Sequence, residues 1–354
     1  MSNKNNRKIR NIKSIVALLV VVTIIVSSSV VINKDLLFGR DDNILFINTK
    51  SWMASISDDT ELSSINIPGT HDSAAVNPHF KDIYARHYAT ITQQLNSGIR
   101  LLDVRLQLAQ DENGNYTFLT CHGNIGSTLS LNTYQCFESL LSECDSFLLE
   151  NPSETIIMTL KIDDNTLKND EDYSEALMEV ENLLSTHLVR PYQPNLGSIG
   201  ESRGKIVLFN RINNNCNLGY PMHWDDNPTD VVLVKNSQNY NDRNFNIYVQ
   251  DHYNLGFNAF SANSKKANDV LNAARKIYTG NGDVLFNFSS ACVFFAVPIN
   301  PNFKVIEHND NSNLGWVLTD YEQQVYDTQK YVKCSYIKYI IASNFEYENI
   351  LDEK

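Results

Sequence analysis

Residues 65–73 read Ile-Asn-Ile-Pro-Gly-Thr-His-Asp-Ser, and this stretch decides the fold class. A short apolar strand, predicted over 62–67, leads through a Pro-Gly corner to His71 and Asp72. A second histidine, His122, lies in Leu-Thr-Cys-His-Gly, residues 119–123, where another apolar run gives way to glycine. Parallel α/β barrels carry their chemistry at the C-terminal tips of their strands. Two histidines at such tips indicate acid–base catalysis, in which one side chain takes a proton and the other gives one.

Apolar, β-rich runs recur along the chain and alternate with segments of helical periodicity at 131–149 and 172–188. The runs lie at 62–67, 99–108, 116–121, 155–161, 205–210, 246–250, 284–289 and 315–319. This alternation predicts βα units and a mainly parallel sheet. Eight runs favour one irregular TIM (β/α)8-type barrel over a doubly wound sheet with a second domain. We therefore predict an α/β protein with one catalytic barrel over residues 35–354.

The first 34 residues have a different character. Basic residues between Lys4 and Lys13 precede an uncharged apolar run from Ser14 to Asn33. A positive segment followed by about twenty apolar residues is typical of a signal peptide or a signal anchor, with the N-terminus cytoplasmic. The pattern leaves two outcomes open, secretion after cleavage or tethering to the membrane through residues 14–33. Both place residues 36–354 outside the cytoplasm.

Charge and cysteine content exclude some classes of protein. The formal net charge is −12 and no basic run follows the N-terminus, which argues against nucleic acid as a partner and against simple adsorption to anionic lipid. The six cysteines contain no C-x-x-C pair, so no zinc site is predicted. Cys136 and Cys144 are the nearest candidates for a disulfide. Eight residues on a helix span about 12 Å, so that pair requires a break in the helix, and free buried thiols are the alternative.

The second predicted strand carries a charged pair. Side chains alternate along a strand, so Asp103 and Arg105 share one face while their aliphatic neighbours take the other. Two interpretations are open: a buried structural ion pair, or an anion clamp near the barrel mouth. We favour the clamp, because a guanidinium group fits phosphate oxygens bidentately. No H-x-x-x-H pattern indicates a metal site, and Arg105 supplies the positive charge that a metal ion otherwise provides.

The two histidines need partners from other strands. Adjacent side chains of an extended chain point apart, so Asp72 is not predicted to orient His71. Asp72 is instead a candidate partner of His122. Asp320 ends the last predicted strand, which closes beside the first strand in a barrel, and is the candidate partner of His71. An aspartate partner fixes the tautomer of an imidazole and raises its pKa.

At these residues the chain resembles the bacterial phosphatidylinositol-specific phospholipase C family, whose catalytic domain is an irregular TIM barrel. The resemblance runs from Ser51 to about Tyr321. Seven motifs carry it in order: Ile-Pro-Gly-Thr-His-Asp-Ser at 67–73, Arg-Leu-Leu-Asp-Val-Arg at 100–105, Cys-His-Gly at 121–123, Asn-Pro-Ser-Glu-Thr-Ile-Ile-Met at 151–158, Arg-Gly-Lys-Ile-Val-Leu at 203–208, Val-Gln-Asp at 249–251, and 315–321. Their order and spacing together make the signal strong.

The resemblance implies a reaction. His71 is then the general base that deprotonates the inositol 2-hydroxyl, whose oxygen attacks the neighbouring phosphorus. His122, paired with Asp72, is the general acid that protonates the diacylglycerol leaving oxygen. Asp320 orients His71. The implied products are diacylglycerol and inositol 1,2-cyclic phosphate.

The resemblance also assigns the charged residues around the phosphate and the headgroup. Arg105 stabilises the phosphoryl oxygens, and Asp103 holds Arg105 or shares in proton handling. Lys161, Arg211 and Asp251 fall where the family binds inositol hydroxyls. Calcium-dependent relatives place a metal where this family has the arginine, so Arg105 predicts activity without a metal or another cofactor.

The expected partner is phosphatidylinositol in a membrane, met through transient surface contact, with glycosyl-phosphatidylinositol anchors as a further substrate class. We expect a monomer. Phe294 and Phe295 are open to two interpretations, insertion into lipid or a buried strand extension. Two alternative functions stay open: a non-catalytic lipid- or glycan-binding relative, and a metal-dependent glycerophosphodiesterase on the same barrel.

Overall fold

The computed structural model describes part of the chain in two compact units, Met1–Asn48 and Thr49–Lys354. The described residues are 39–41, 44–46, 48–76, 87, 89–123, 133–212, 219–234, 242–277, 282–293, 297–309, 313–320, 325–326 and 334–345. In the first unit, the strands β1 (Gly39–Asp41) and β2 (Ile44–Phe46) pair antiparallel. The predicted signal or anchor segment lies outside the described residues. Among those residues, no helix is both long and apolar enough to cross a membrane.

The second unit is built on one curled sheet with helices around it. The strands of the unit are β3 (Ile67–Thr70), β4 (Leu101–Gln110), β5 (Tyr116–Cys121), β6 (Thr133–Cys136), β7 (Ile156–Asn165), β8 (Ile206–Asn210), β9 (Tyr220–Pro221), β10 (Val232–Val234), β11 (Ile247–Gln250), β12 (Val284–Phe288), β13 (Ala291–Val293), β14 (Val297–Ile299), β15 (Trp316–Thr319), β16 (Val325–Tyr326) and β17 (Cys334–Ser335). In the main sheet the order is β10-β11-β12-β15-β3-β4-β7-β8-β9. All neighbours in that order are parallel except β10, which runs antiparallel to β11.

The α-helices lie mostly between these strands. They are α1 (Ile91–Asn96), α2 (Phe137–Glu150), α3 (Asp170–Ser185), α4 (Ile199–Ser202), α5 (Ala259–Lys276), α6 (Asn302–His308) and α7 (Tyr336–Ala342). Local sequence signals explain where some of them begin. Thr90 starts α1 with a capping box to Gln93, and the side chain of Asn169 accepts a hydrogen bond from Asp172 N at the start of α3. Such side chains satisfy backbone N–H groups that have no partner inside the helix.

The predicted α/β barrel with its last strand beside the first is confirmed, since β15 pairs with β3. Its interior is filled by aromatic rings. Phe209, Phe286 and Trp316 come from three strands, and their ring centroids lie 5.0 to 5.4 Å apart in edge-to-face geometry. Phe209 reaches the other two across the barrel, because β8 is not a neighbour of β12 or β15 in the sheet. The packed interior leaves the chemistry to the strand ends and the segments that follow them.

The first barrel strand lies later in the chain than predicted. Residues 62–64 form a 3-10 helix, and β3 itself runs through Pro68 and Gly69, so the Pro-Gly pair is part of the strand and not a corner. Gly69 is required by close packing. A Cβ atom there would lie 2.7 Å from the Cβ of Leu101 on β4, closer than two carbon atoms can approach.

The run at 116–121 is a strand, but it is not one of the parallel barrel strands. It forms β5, which pairs antiparallel with β4 after a short turn. Asp111 fixes this turn, because its carboxylate accepts hydrogen bonds from the backbone N–H groups of Asn113 and Asn115. A connection this short can join only antiparallel strands, since a parallel pair needs a long crossover.

The helix predicted over 131–149 begins at Phe137, because residues 133–136 form β6 beside β5. Cys136 therefore precedes α2 while Cys144 lies inside it. The helix is unbroken between them, and neither thiol is in a disulfide. Of the two alternatives for this pair, the disulfide is excluded, because the rise along a continuous helix separates the two residues.

Candidate active site

Strand ends and the segments after them bring the sequence-predicted residues into one cleft of about 420 Å³. All nine predicted site residues except Asp103 line it: His71, Asp72, Arg105, His122, Lys161, Arg211, Asp251 and Asp320. Asp103 lies fully buried behind Arg105, with its carboxylate 3.1 Å from the guanidinium. The structure therefore brings these residues together at one end of the barrel.

His71 follows β3 and is held between two carboxylates and a guanidinium. Its Nδ1 lies 3.2 Å from Oδ1 of Asp320, and its Nε2 lies 3.0 Å from Nη2 of Arg105. A guanidinium can only donate, so Nε2 accepts from Arg105 and the ring proton sits on Nδ1, facing Asp320. This tautomer leaves Nε2 without a proton, which is the state that a general base requires.

Asp72 has an unusual backbone conformation that sets its side chain. Its φ is 47°, in the left-handed region that few residues other than glycine adopt. The turn brings Oδ2 to 3.0 Å from Nε2 of His122 and to 3.4 Å from Nε2 of His71. The expectation that His71 and Asp72 point apart is therefore wrong, because it assumed an extended chain. The pairing of Asp72 with His122 is present.

Charge compensation keeps Asp72 ionised in a buried position. Burial alone raises the pKa of a carboxyl group, but the neighbouring Arg105 and the two histidines outweigh it and hold the pKa of Asp72 well below its usual value of 3.8. Asp72 is therefore ionised at neutral pH. One buried anion contacts both imidazoles and stabilises whichever of them is protonated.

His122 reaches the cleft by the return strand of a hairpin. It follows Cys121, the last residue of β5, and β5 runs antiparallel to β4. The hairpin extends β4 beyond the sheet and then brings the chain back toward the mouth. His122 thus faces Asp72 from the side, and its prediction as a parallel strand tip was right about the place and wrong about the route.

Arg105 is the centre of the charge network. Its guanidinium contacts Asp72 closely, lies 3.1 Å from Oδ2 of Asp103 and 3.2 Å from Oδ2 of Asp163. Burial lowers the pKa of an arginine, yet the three carboxylates more than offset it and raise the pKa of Arg105 well above its usual value. These contacts fix the planar fork while one side stays accessible in the cleft.

Asp103 is the anchor of two arginines. Its Oδ1 accepts hydrogen bonds from Thr159 Oγ1 at 2.7 Å and from Arg211 Nη1 at 3.1 Å, while its Oδ2 faces Arg105. Burial raises the pKa of Asp103, but the positive charges of the two arginines outweigh this effect, so the pKa is lowered overall. Asp103 therefore aligns Arg105 and Arg211 along one side of the cleft. Thr159 was not singled out from the sequence, because a threonine inside a strand carries no catalytic signal.

The wall beyond the histidines is polar and aromatic. The Arg211 guanidinium lies 4.1 Å from the ring centroid of Trp224, and Trp224 Nε1 donates to Oδ2 of Asp251 at 3.1 Å. The hydroxyl of Tyr253 donates to Oδ1 of Asp226 at 3.0 Å. This set of rings, cations and carboxylates suits a ligand with many hydroxyl groups, because it offers both donors and acceptors.

Sequence reasoning missed several members of this cleft, among them Asp163, Asp226 and Tyr253. A signal existed for two of them. Asp163 stands two residues after Lys161 on β7, and its Oδ1 lies 2.5 Å from the Lys161 ammonium. Tyr253 stands two residues after Asp251, just past β11. Spacing of two places side chains on one face of a strand, so both could have been found by extending the predicted residues.

One group of described residues has the ligand types of a metal site. Single atoms of His71, Asp72 and Asp103 lie within 4.8 Å of one another. Arg105 contacts all three of these side chains, so a bound cation would compete with the guanidinium for the same lone pairs. The donor set is therefore already used by a fixed positive charge of this chain.

Comparison with known proteins agrees with this geometry. The family model PI-PLC X 1 matches residues 59–212, which contain both histidines and Arg105. Over this stretch the chain is similar to the PI-PLC X 1 family. Its curated relatives include the 1-phosphatidylinositol phosphodiesterases of Staphylococcus aureus strain Newman and Listeria monocytogenes. The first is 28% identical over 305 residues, covering 77% of this chain and 88% of the relative. The second is 28% identical over 220 residues, covering 59% of each.

Solved structures of phosphatidylinositol-specific phospholipases C have the same fold. A phosphatidylinositol-specific phospholipase C of S. aureus, solved in work on its membrane binding, has a TM-score of 0.66 at 22% identity. The match covers 84% of this chain and 98% of that one. The L. monocytogenes enzyme has a TM-score of 0.59 at 22% identity, covering 85% of this chain and all of that one. The barrel assigned from the sequence is therefore the barrel of these enzymes.

Proposed function

We propose that this protein cleaves phosphatidylinositol to diacylglycerol and inositol 1,2-cyclic phosphate without a metal ion. The observation that carries the proposal is the placement of two imidazoles against one carboxylate oxygen. The Nε2 atoms of His71 and His122 lie 3.4 and 3.0 Å from Oδ2 of Asp72, and Arg105 contacts the same carboxylate. The names of the relatives, 1-phosphatidylinositol phosphodiesterase, support the same substrate.

The reaction follows from this arrangement. His71 accepts the proton of the inositol 2-hydroxyl, and the freed oxygen forms a bond to the adjacent phosphorus. The bond from phosphorus to the diacylglycerol oxygen breaks on the opposite side, and His122 gives that oxygen its proton. The nucleophile belongs to the substrate, so the attack is intramolecular and needs positioning more than activation. Asp72 stabilises the proton on either ring, and Asp320 keeps His71 in the correct tautomer.

Arg105 stabilises the negative charge that develops on the phosphate during the reaction. Negative charge gathers on the non-bridging phosphoryl oxygens as the new bond forms. A guanidinium that is already fixed by Asp103 and Asp163 meets this charge without reorganising, which is what makes preorganised donors effective. The inositol hydroxyls then contact Lys161, Arg211 and Asp251. The ring of Tyr253, which borders the cleft, is assigned to packing against the apolar face of the inositol.

We further propose that residues 35–354 are the catalytic domain and that residues 1–34 are a signal peptide or a membrane anchor. This places the enzyme outside the cytoplasm, as a monomer that meets its lipid at a membrane surface. Glycosyl-phosphatidylinositol anchors are proposed as a second substrate class, because they present the same inositol phosphodiester. The two interpretations of Phe294 and Phe295 concern residues outside the described part of the chain.

The test uses residues 36–354 with phosphatidylinositol vesicles in excess EDTA, followed by phosphorus NMR. We expect the signal of a five-membered cyclic phosphate to appear in EDTA and to be unchanged when calcium is added. Activity that appears only with calcium would identify a metal-dependent phosphodiesterase instead. Vesicle binding with no product in either buffer would identify a non-catalytic lipid-binding protein.

We propose that two exposed phenylalanines meet the membrane. Phe260 is fully exposed and Phe257 is 66% exposed, at the beginning of α5. They follow directly on the segment that lines the cleft with Asp251 and Tyr253. Leu255 and Ala262 beneath them pack on the β13–β14 hairpin, so the rings project from a fixed base. Large apolar side chains in water at the mouth of a lipid-cleaving site are suited to insertion into the bilayer.

The double variant Phe257→Ser/Phe260→Ser is expected to weaken binding to phosphatidylinositol vesicles by at least roughly tenfold. Burial of one phenylalanine contributes about 1.5–3 kcal/mol, and each 1.4 kcal/mol is a factor of ten. Vesicle sedimentation measures binding, and cleavage of a dispersed short-chain phosphatidylinositol should stay unchanged. Leu149→Ser is the matched control, because Leu149 is 73% exposed on α2 at the opposite end of the barrel. Equal vesicle binding by the double variant and this control would refute the docking site.

A further inference from the structure

Helix α5 carries two consecutive lysines in opposite environments. Lys265 is exposed, whereas Lys266 is fully buried. An ammonium group removed from water costs free energy unless polar groups replace the lost hydration. A lysine is almost never found fully buried without such partners, so its position calls for an explanation beyond helix stability.

The ammonium of Lys266 ties α5 to the end of β11. Its Nζ donates to Oε1 of Gln250 at 2.9 Å and to the backbone carbonyl of His252 at 2.8 Å. The same Gln250 oxygen also accepts a hydrogen bond from the backbone N–H of His252 at 3.0 Å. The amide nitrogen of Gln250 donates to the backbone carbonyl of Phe288 at 2.8 Å. Both backbone polar groups of His252 are thereby fixed to one small network of buried groups.

His252, whose backbone is held in this way, lies between two residues that face the cleft. Asp251 and Tyr253 flank His252 and line the cleft beside the histidines. The His252 ring points the other way, with Nδ1 2.9 Å from Asp269 on α5. From this geometry we infer that Lys266 is a positioning residue for headgroup binding: it holds the 251–253 segment so that Asp251 and Tyr253 meet the inositol ring. The inference rests on the proposed function and names a determinant of its substrate affinity.

The pKa of Lys266 depends on its burial and on the charged groups around it. Burial lowers its pKa to about 8, against the opposing effect of Asp251, Asp269 and Asp320. The other titratable groups nearby are His252, bonded to Asp269, and the thiol of Cys292 on β13. A lysine with this pKa is protonated at pH 7 and largely neutral at pH 9. Deprotonation removes one donor and the positive charge behind Asp251, so headgroup affinity is expected to fall across this interval.

The experiment measures inositol affinity separately from membrane binding and from chemistry. The substrate is short-chain phosphatidylinositol dispersed below its aggregation limit, and myo-inositol is the competitive inhibitor. Lys266→Met keeps the length of the side chain and removes the ammonium, and Lys265→Met on the same helix is the matched control. We expect Lys266→Met to raise both KM and the inositol Ki by roughly five- to tenfold, with kcat changed by less than about twofold. Lys265→Met should match the wild type.

The pH profile tests the same point without a variant. The inositol Ki of the wild type should rise between pH 7 and pH 9, and this rise should be missing from a folded Lys266→Met protein. If that variant does not fold, a Ki of the wild type that is flat from pH 7 to pH 9 overturns the inference by itself. A folded variant with unchanged KM and Ki also overturns it. A wild type that neither cleaves phosphatidylinositol nor binds inositol would overturn the proposed function, and this inference with it.

Discussion

Replacing either histidine with alanine is expected to lower the rate of phosphatidylinositol cleavage by about 10²- to 10⁴-fold, the usual contribution of a positioned acid or base. His71→Ala removes the proposed base for the 2-hydroxyl proton, and His122→Ala removes the proposed acid for the leaving oxygen. Both side chains are near the surface of the cleft, at 18% and 15% exposure, so neither truncation opens a cavity in the core. The measurement is cleavage of short-chain phosphatidylinositol, with circular dichroism to verify folding.

The two variants can be told apart by the leaving group. A substrate with p-nitrophenol in place of diacylglycerol needs no proton on the departing oxygen, because nitrophenolate is a stable anion. His122→Ala should recover most of its activity on that substrate, and His71→Ala should not. His308→Ala is the control, since His308 is 56% exposed on α6. Recovery by His71→Ala alone would reverse the acid and base assignments, and near-normal rates in both variants would exclude them.

Arg105→Lys is expected to reduce kcat by about 10²- to 10³-fold, the effect of removing one preorganised donor from a developing oxyanion. Lysine keeps the positive charge but loses the planar fork that contacts Asp72, Asp103 and Asp163 together. The loss should therefore appear in kcat on short-chain phosphatidylinositol, at saturating substrate. Arg275→Lys, an exposed exchange on α5, is the control and should have no effect.

A second variant at the same position distinguishes the effect of the positive charge of Arg105 from the effect of its planar shape. Arg105→Met leaves three carboxylates without their common cation, and removing one partner of a buried ion pair typically costs about 3–5 kcal/mol of stability. This variant should unfold at a lower denaturant concentration than Arg105→Lys. Calcium is not expected to restore the activity of the lysine variant. Restoration by calcium would show that a metal can take the place of the guanidinium and would contradict the metal-free mechanism.

The fold and the positions of most charged residues followed from local rules. Period-two alternation predicted that Asp103 and Arg105 share one face, and both lie in the same network. Strand-end placement predicted that His71, His122 and Asp320 would meet, because parallel strands end at one rim of a barrel. These predictions needed only the order of polar and apolar residues along single segments.

Other charged residues of the same motifs proved to be structural. Arg100 begins the motif that ends in Arg105, yet it is fully buried with Glu154 at 2.8 Å and donates to the backbone carbonyls of Thr49 and Lys50. Sequence alone cannot separate these two arginines, because each stands beside an aliphatic strand. The difference is where the strand places them, one before β4 at the base and the other on β4 toward the mouth.

What the sequence determined by itself was the barrel, the end of it that carries the chemistry, and the residue types that meet there. Tertiary structure alone decided three things: that Asp72 turns to face both histidines, that His122 arrives on a hairpin, and that Lys266 lies inside the protein behind the cleft. The physical reason is the same in each case. Backbone φ in a turn, the direction of a returning strand and the burial of a helix face depend on contacts between segments distant in the chain, and a local pattern does not record those contacts.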